Sequence, residues 1–597
     1  MRHLFLLQAV GLFFGLGKAA PSPVDVDVVA PRELAKRAPT CNTPSNRACW
    51  SDGFDINTDY EASIPNTGVT RSYNFVISQF ENWVGGDGVE KKVAMLINGQ
   101  FPGPTVRADW GDWIEVTVTN NLTCDGTSLH WHGIRMQKNS VNDGANGVTE
   151  CPLPPGETKT YRFRAEQYGT GWYHSHYSSQ YANGLLGTLV IDGPASLPYD
   201  EDLGVFPIND WYYGDAEELA RGLIPPPGAA PAADNVLFNG SHVNANGGGQ
   251  YSRVILKPNK RHRLRLINPS VDIHYSVSLA NHDLTVISTD FVPVNAFTTQ
   301  SIFMAPGQRV DVTIDASKTP DNYWFNVTFS SGPCGASRIA KPAAIFQYEN
   351  ASQGIPTSPG TAPADPFCQD NTSFSPVISR TVPSGSFGVS DNNTIDIELV
   401  QKPWEDVPNR VYWNIHGHDM NVTWENPTLE YVASGDLTFP ERFNIYTVEK
   451  DNGAWAFWLI ENTSVLPHPM HLHGHDFYVL GHSDPPANPF TAPMTHFTPS
   501  SDLSRLKWNN PTRRDTTLLP ARGWLVLAFR VDNPGAWLFH CHIAWHAGQG
   551  LSLQFLESVA EIPATVDLAQ LEPTCTKWTQ YYATSQCKQW DSGLKKF

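Results

Sequence analysis

Four His-x-His pairs constrain this chain most strongly: His130-Trp131-His132, His174-Ser175-His176, His471-Leu472-His473 and His540-Cys541-His542. On a β-strand, residues i and i+2 point to the same face, so each pair aims two imidazoles into one space. Two pairs lie near the start of the chain and two near its end, so a shared cavity requires a fold that brings the ends together. Neutral imidazole suits copper, zinc, iron or nickel, and eight imidazoles exceed what one tetrahedral zinc uses.

The last pair carries a second message. His540 and His542 share one strand face while Cys541 points to the other. Cys541 can therefore bind a different metal and stay covalently joined to both neighbours. His546, five residues on, and His468, in Pro467-His468-Pro469-Met470-His471, complete a His₂Cys set, the mark of a blue-copper electron-transfer centre. The position five past His546, where a weak axial ligand is expected, is Leu551. A non-coordinating residue there leaves Cu(II) less stabilised and the reduction potential high. His416-Gly417-His418 has the same spacing but no counterpart elsewhere in the chain and is read as structural. His475 is read as a support behind His473, and Trp172 and Trp537 as core residues.

An internal repeat gives the architecture. Gly171–His176, Asn322–Val327 and Gly535–His542 each place a Trp in an alternating aromatic run, and each follows a strand that ends in Asn. Those strands are taken as Trp113–Thr119 before Asn120, Arg263–Ile267 before Asn268, and Leu525–Asp532 before Asn533. Residues Ile114, Val116 and Val118 alternate with polar neighbours, the period of a half-buried strand. Helical periodicity is scarce, and 46 Gly and 47 Pro punctuate nearly every segment. The reading is all-β: three related β-sandwich domains near 38–194, 195–376 and 377–597. Only the first and third repeats carry the histidines, which puts one metal cluster between them and leaves the second as a spacer or a wall of the substrate site.

Residues 1–20 read as a secretory signal, with an apolar run of 14 residues, short of the roughly 20 that span a bilayer. Residues 21–37 read as a propeptide ending at Lys36-Arg37. Eight N-x-[S/T] sequons, at Asn121, Asn239, Asn326, Asn350, Asn371, Asn392, Asn421 and Asn462, point to a secreted, extracellular glycoprotein. Of nine cysteines, Cys541 is given to metal, and the other eight suffice for four disulfides. The expected pairs are Cys41–Cys49 and Cys334–Cys368, with Cys124 and Cys151 each tied to a C-terminal partner. A net charge of −18 argues against nucleic acid as a partner, because phosphate contacts need a basic face.

Together and in this order, H-W-H-G, H-S-H, H-P-M-H-L-H-G-H and H-C-H-I-A-W-H resemble the four copper signatures of multicopper oxidases, and more narrowly those of ascomycete laccases. The resemblance implies three cupredoxin-like, Greek-key β-sandwich domains and four coppers. It implies oxidation of small phenolic or aromatic donors coupled to reduction of O₂ to water. By motif, the type 1 copper falls to His468, Cys541 and His546, with Leu551 axial. The type 2 copper falls to His130 and His471, and the type 3 pair to His132, His174, His176, His473, His540 and His542. Asp272 stands where similar laccases place an acid that accepts the phenolic proton, and Asp143 where the family has an acid feeding protons to the trinuclear site. Trp545 is expected to line the donor pocket, and cleavage is expected after Asp591-Ser592-Gly593-Leu594. The chain is expected to act as a monomer away from membranes. The alternatives are a ferroxidase or ascorbate oxidase-like enzyme, or a copper-storage or electron-carrier protein. Storage would favour Met-rich tracts, whereas the chain has 7 Met. A role in lignin breakdown, pigment synthesis or detoxification stays open.

Overall fold

Strand periodicity and frequent turns produce three pairs of antiparallel-rich sheets. The computed structural model describes residues 41–588, apart from 52, 223–229, 330–332, 359–366, 391–392 and 405–406. The expected signal, propeptide junction, Asn392 sequon and tail cleavage lie outside the described residues.

The first pair holds Gly103–Asp109, Leu186–Asp192, Gly169–His174 and His130–His132 in one sheet. Its other sheet orders Glu90–Ile97, Thr70–Val84, Trp113–Asn120 and Thr158–Arg164. The second and third pairs are larger, each with a six-stranded and a five-stranded sheet. The repeat is visible in the strand order. Gly169–His174, Asn322–Phe329 and Gly535–Cys541 occupy the same place, each antiparallel to the next strand in the chain. Those partners each pair in parallel with an earlier strand: Gly103–Asp109, Arg253–Leu256 and Ile445–Val448.

One assignment within the repeat is corrected. The third strand ending in Asn is Trp455–Asn462, not the strand before Asn533. It pairs in parallel with Thr394–Trp404, as Trp113–Asn120 does with Thr70–Val84 and Arg261–Ile267 with Glu201–Trp211. The hydrogen bonds decide it. Asn120 Nδ2 donates to the carbonyls of Asp125 and Leu153, Asn268 Nδ2 to those of Ile273 and Met304, and Asn462 Nδ2 to those of Leu466 and Pro520. In each, Oδ1 accepts the backbone N–H two residues on. Asn533 instead donates to the carbonyls of Arg135 and Gly474. This role buries Asn462 completely, which closes its sequon in the folded chain.

The ends of the chain share a core. One hydrophobic cluster runs from Phe75 and Trp131 through Trp172 to Met470, Trp537 and Phe555, while the second sheet pair packs a core of its own around Leu264, Val312 and Phe346. Disulfides reinforce this closure: Cys124–Cys587 and Cys151–Cys575 link the first sheet pair to the C-terminal helix Glu572–Thr584 and the residues after it. Such long-range links remove much of the unfolded chain's freedom. Cys41–Cys49 and Cys334–Cys368 form as expected, and Cys541 is free and buried.

Candidate metal centre

Strand pairing brings the four His-x-His pairs together. His130 faces His174 across the pairing of His130–His132 with Gly169–His174, and His471 faces His540 across that of His468–Leu472 with Gly535–Cys541. The two halves then meet: His130 Nε2 lies 3.4 Å from His471 Nε2, and the His132 and His471 rings stack at 3.8 Å. The nitrogens form compact triads, His132–His174–His542 and His176–His473–His540, with His130 and His471 alongside; within each triad the candidate ligand atoms lie within 4.8 Å of one another.

Cys541 lies on the opposite face of its strand, as the alternation requires. Its Sγ is 3.5 Å from His468 Nδ1 and 3.6 Å from His546 Nδ1. Leu551 is fully buried beside them; its carbonyl accepts the Cys541 N–H and its own N–H donates to the His546 carbonyl. The Trp413 ring lies 4.7 Å from His468 and 4.6 Å from His546.

Hydrogen bonds fix the imidazole tautomers. In the cluster, His130, His174, His471 and His540 place Nδ1 on the backbone carbonyls of Asp143, Ser175, Asp515 and Cys541, leaving Nε2 inward. His473 Nδ1 lies 2.7 Å from an Asp143 carboxylate oxygen, whose partner oxygen is 3.3 Å from His130 Nδ1. At the cysteine site the order reverses: His468 Nε2 meets Ser464 Oγ at 3.1 Å and Nδ1 turns toward sulfur. Ligands held this way are oriented before any metal arrives.

The donor set fits copper. Burial, aided in most cases by neighbouring imidazoles, pulls the basicity of nine of the ten histidines down, His176 and His546 to about 3. They stand neutral, as metal ligands must. The His132 Nδ1, the His174 Nε2 and both His542 nitrogens are buried without a hydrogen-bond partner, a costly state that a bound cation relieves. Burial also pushes the Cys541 thiol up, so a thiolate there needs a metal to replace its proton.

The chain matches the multicopper oxidase family profile at residues 80–196, 202–351 and 407–561. The chain belongs to the multicopper oxidase family. It is 53% identical to Laccase-1 of Melanocarpus albomyces, over 97% of this chain and 95% of that one, and 49% identical to a laccase of Cryphonectria parasitica, over 98% and 99%. Its fold matches the laccase of Botrytis aclada with a TM-score of 0.83 at 36% identity, covering 92% of this chain and 99% of that one. This multicopper oxidase is therefore a laccase-like, copper-binding oxidoreductase built from cupredoxin-like domains.

Asp272, Trp545 and Asp143 are all buried near these sites. The Val271 carbonyl accepts the N–H of Ala544, tying the Asp272 turn to the helix Ala544–Ala547 that carries Trp545 and His546. Asp272 Oδ2 has no hydrogen-bond partner, and burial together with the nearby Asp210 pushes its carboxyl up to about 7. His475 Nδ1 lies 3.2 Å from the His473 carbonyl, and its Nε2 lies 2.9 Å from a Glu557 carboxylate oxygen. His416 and His418 flank a turn and join none of the triads.

The sequence reading missed Asp515. Its carbonyl receives His471 Nδ1, its carboxylate lies 3.2 Å from His132 Nε2, and Arg309 grips it at 2.7 and 2.6 Å. Arg309 comes from the second sheet pair, which is thus a wall of the cluster rather than a spacer. Nearby Gly307 has φ +89°, and a Cβ there would stand 3.1 Å from both His132 and His542, so only glycine fits comfortably.

Proposed function

We propose that the chain oxidises phenolic donors by single electrons and reduces O₂ to water, with one copper that would be held by His468, Cys541 and His546, beside the non-coordinating Leu551. A second copper would be held by His130 and His471, and two more by His132, His174, His176, His473, His540 and His542. When bound, these coppers supply one-electron acceptance at the cysteine site and O₂ reduction at the histidine cluster. The observation that carries this reading is the split of three consecutive residues between two sites: Cys541 opens to one, His540 and His542 to the other. The peptide links between them are a short covalent path from thiolate to both imidazoles.

The remaining chemistry belongs to the protein. Asp272 accepts the phenolic proton as the donor gives up its electron, Trp545 lines the donor pocket, and Asp143 orients His473 and His130 while supplying protons toward the cluster. We assign domains to 38–194, 195–376 and 377–597, and read the enzyme as a secreted, glycosylated monomer. Among the described residues, no helix is long and apolar enough to cross a membrane.

Comparing oxygen uptake with 2,6-dimethoxyphenol, Fe(II) and ascorbate tests the donor class; preference for Fe(II) or ascorbate over the phenol contradicts it. Asp272 supplies a sharper expectation. Burial and Asp210 push its carboxyl up to about 7, so the carboxylate fraction grows through that pH and phenol kcat/KM rises with it along an acidic limb. Asp272→Asn removes the limb and lowers phenol kcat/KM by about 100-fold. Oxidation of hexacyanoferrate(II), which has no proton to lose, falls far less. Equal loss for both donors contradicts the role.

A further inference from the structure

Asp210 is a buried carboxylate that the copper chemistry does not use. It stands near the end of the strand Glu201–Trp211, under the turn that carries Asp272. Its Oδ1 accepts the N–H of Val271 at 2.8 Å, and its Oδ2 accepts those of Asp272 and Ile273 at 2.9 and 3.3 Å. The Tyr212 hydroxyl donates to the same Oδ2 at 3.2 Å, and the Asp210 N–H donates to Ser270 Oγ. Three successive amides of one turn thus converge on one carboxylate. Successive N–H groups form an anion cradle, and here the anion is part of the protein.

Among the described residues, Asp210 is the acceptor these three amides meet. Asn268 ties its two ends, through the Ser270 N–H and the Ile273 carbonyl. Val271 then passes the position on to the helix bearing Trp545 and His546, through the Ala544 N–H. Tyr212 closes the circuit from the other side, its ring edge-on to Trp545 at 5.6 Å.

We propose that Asp210 is a positioning residue for donor oxidation: its carboxylate pins the Val271–Ile273 amides so that Asp272 is presented beside the Trp545–His546 helix. After burial, the negative charge of Asp210 is the second reason the Asp272 carboxyl holds its proton to higher pH. The inference rests on the reading of Asp272 as proton acceptor. An asparagine at 210 keeps the shape but not the function, because its amide group turns donors toward backbone donors.

The groups facing Asp210 and Asp272 are the phenols of Tyr212, Tyr275 and Tyr181, all raised above their ordinary range by burial, the ammonium of Lys91, the Cys541 thiol, and His274, which burial lowers to about 4. Lys91 donates to the Tyr212 carbonyl at 2.6 Å and is itself pulled down to about 7 by burial. The limb is therefore assigned to Asp272 by its loss in Asp272→Asn, not by its position alone.

The test uses copper-loaded full-length enzyme and measures kcat/KM against pH for 2,6-dimethoxyphenol and hexacyanoferrate(II), with the visible copper band recorded alongside. In Asp210→Asn the phenol-to-hexacyanoferrate(II) ratio falls about tenfold, and the phenol limb moves to lower pH by about one pH unit as the repelling charge is lost. The visible band stays. Tyr212→Phe strips one donor from Asp210, makes it easier to protonate, and moves the limb in the same direction by less. Its limb decides the matter should Asp210→Asn not fold. An unmoved limb in these variants, or equal loss for both donors, overturns the role of Asp210 while Asp272→Asn still changes phenol oxidation alone. If Asp272→Asn also leaves the ratio and limb untouched, the donor-acid reading falls and the Asp210 role with it.

Discussion

Cys541→Ser leaves the enzyme with its histidine cluster loaded, its thiolate-dependent visible band gone, and phenol oxidation nearly abolished. The reason lies in strand geometry. Cys541 is the sulfur donor of its site, and it meets His468 and His546 across gaps of 3.5 and 3.6 Å. A serine hydroxyl is a harder, shorter donor that holds Cu(II) without the soft thiolate bond characteristic of this ligand set. Losing a hydrogen-bond partner behind a ligand costs about 10–100-fold, and losing the ligand that also bridges two sites costs more. The cluster survives because His540 and His542 face away from the replaced side chain. Visible spectroscopy, copper content and oxygen uptake on the same sample check this. A retained band, or phenol turnover within tenfold of the wild type, contradicts the assignment.

Copper-free enzyme loses stability steeply as pH falls from 7 to 4.5. Nine site histidines have their basicity pulled below the ordinary 6.5 by burial. Unfolding exposes them, so the unfolded chain binds protons near 6.5 that the folded chain refuses until far lower pH, near 3 for His176 and His546. Where the unfolded state binds more protons, stability rises with pH, and acidification therefore erodes it. Buried acids work the other way. Asp109, Asp210, Asp272 and Asp515 are raised to about 6 or 7, and Glu150, Glu166, Asp396, Glu430 and Glu557 are raised as well, so the folded chain keeps protons that the unfolded chain releases near 4. With His242, His262, His274 and His282 also lowered, thirteen imidazoles outnumber these nine acids. Each fully titrating group contributes about 1.4 kcal/mol per pH unit, so the net slope is on the order of several kcal/mol per pH unit. Urea unfolding of chelator-treated enzyme at the two pH values measures it. A midpoint that holds steady or rises on acidification rules out nine imidazoles of lowered basicity packed in an empty site.

Much of this was legible in the sequence because the cluster ligands lie on strands with period two or directly past their ends, where His473 and His542 stand one residue and His176 two residues beyond the last strand residue. His540, Cys541 and His542 announce their two faces by adjacency alone, and His130/His132 and His174/His176 do the same. That eight cysteines pair was legible because one odd thiol sat between histidines, but which cysteine meets which was set by the fold and not by their number. The repeat was visible in its Trp-centred strands, yet its Asn was misplaced. Asn462 ends its strand, whereas Asn533 lies three residues past Gly523–Arg530, and strand pairing together with the side-chain bonds to Leu466 and Pro520 tells them apart. Asp515, Ser464, Trp413 and Asp210 left no local motif. Each reaches its site through pairing between distant strands or through a loop, so its role depends on contacts that spacing along the chain does not record.

Crystals of the copper-loaded enzyme, measured on either side of the copper absorption edge, test the central claim directly. The account expects four anomalous peaks per chain: one among His468, Cys541 and His546, and three within the eight-histidine cluster where His130 meets His471. No peak beside Cys541, or a single peak in the cluster, contradicts it.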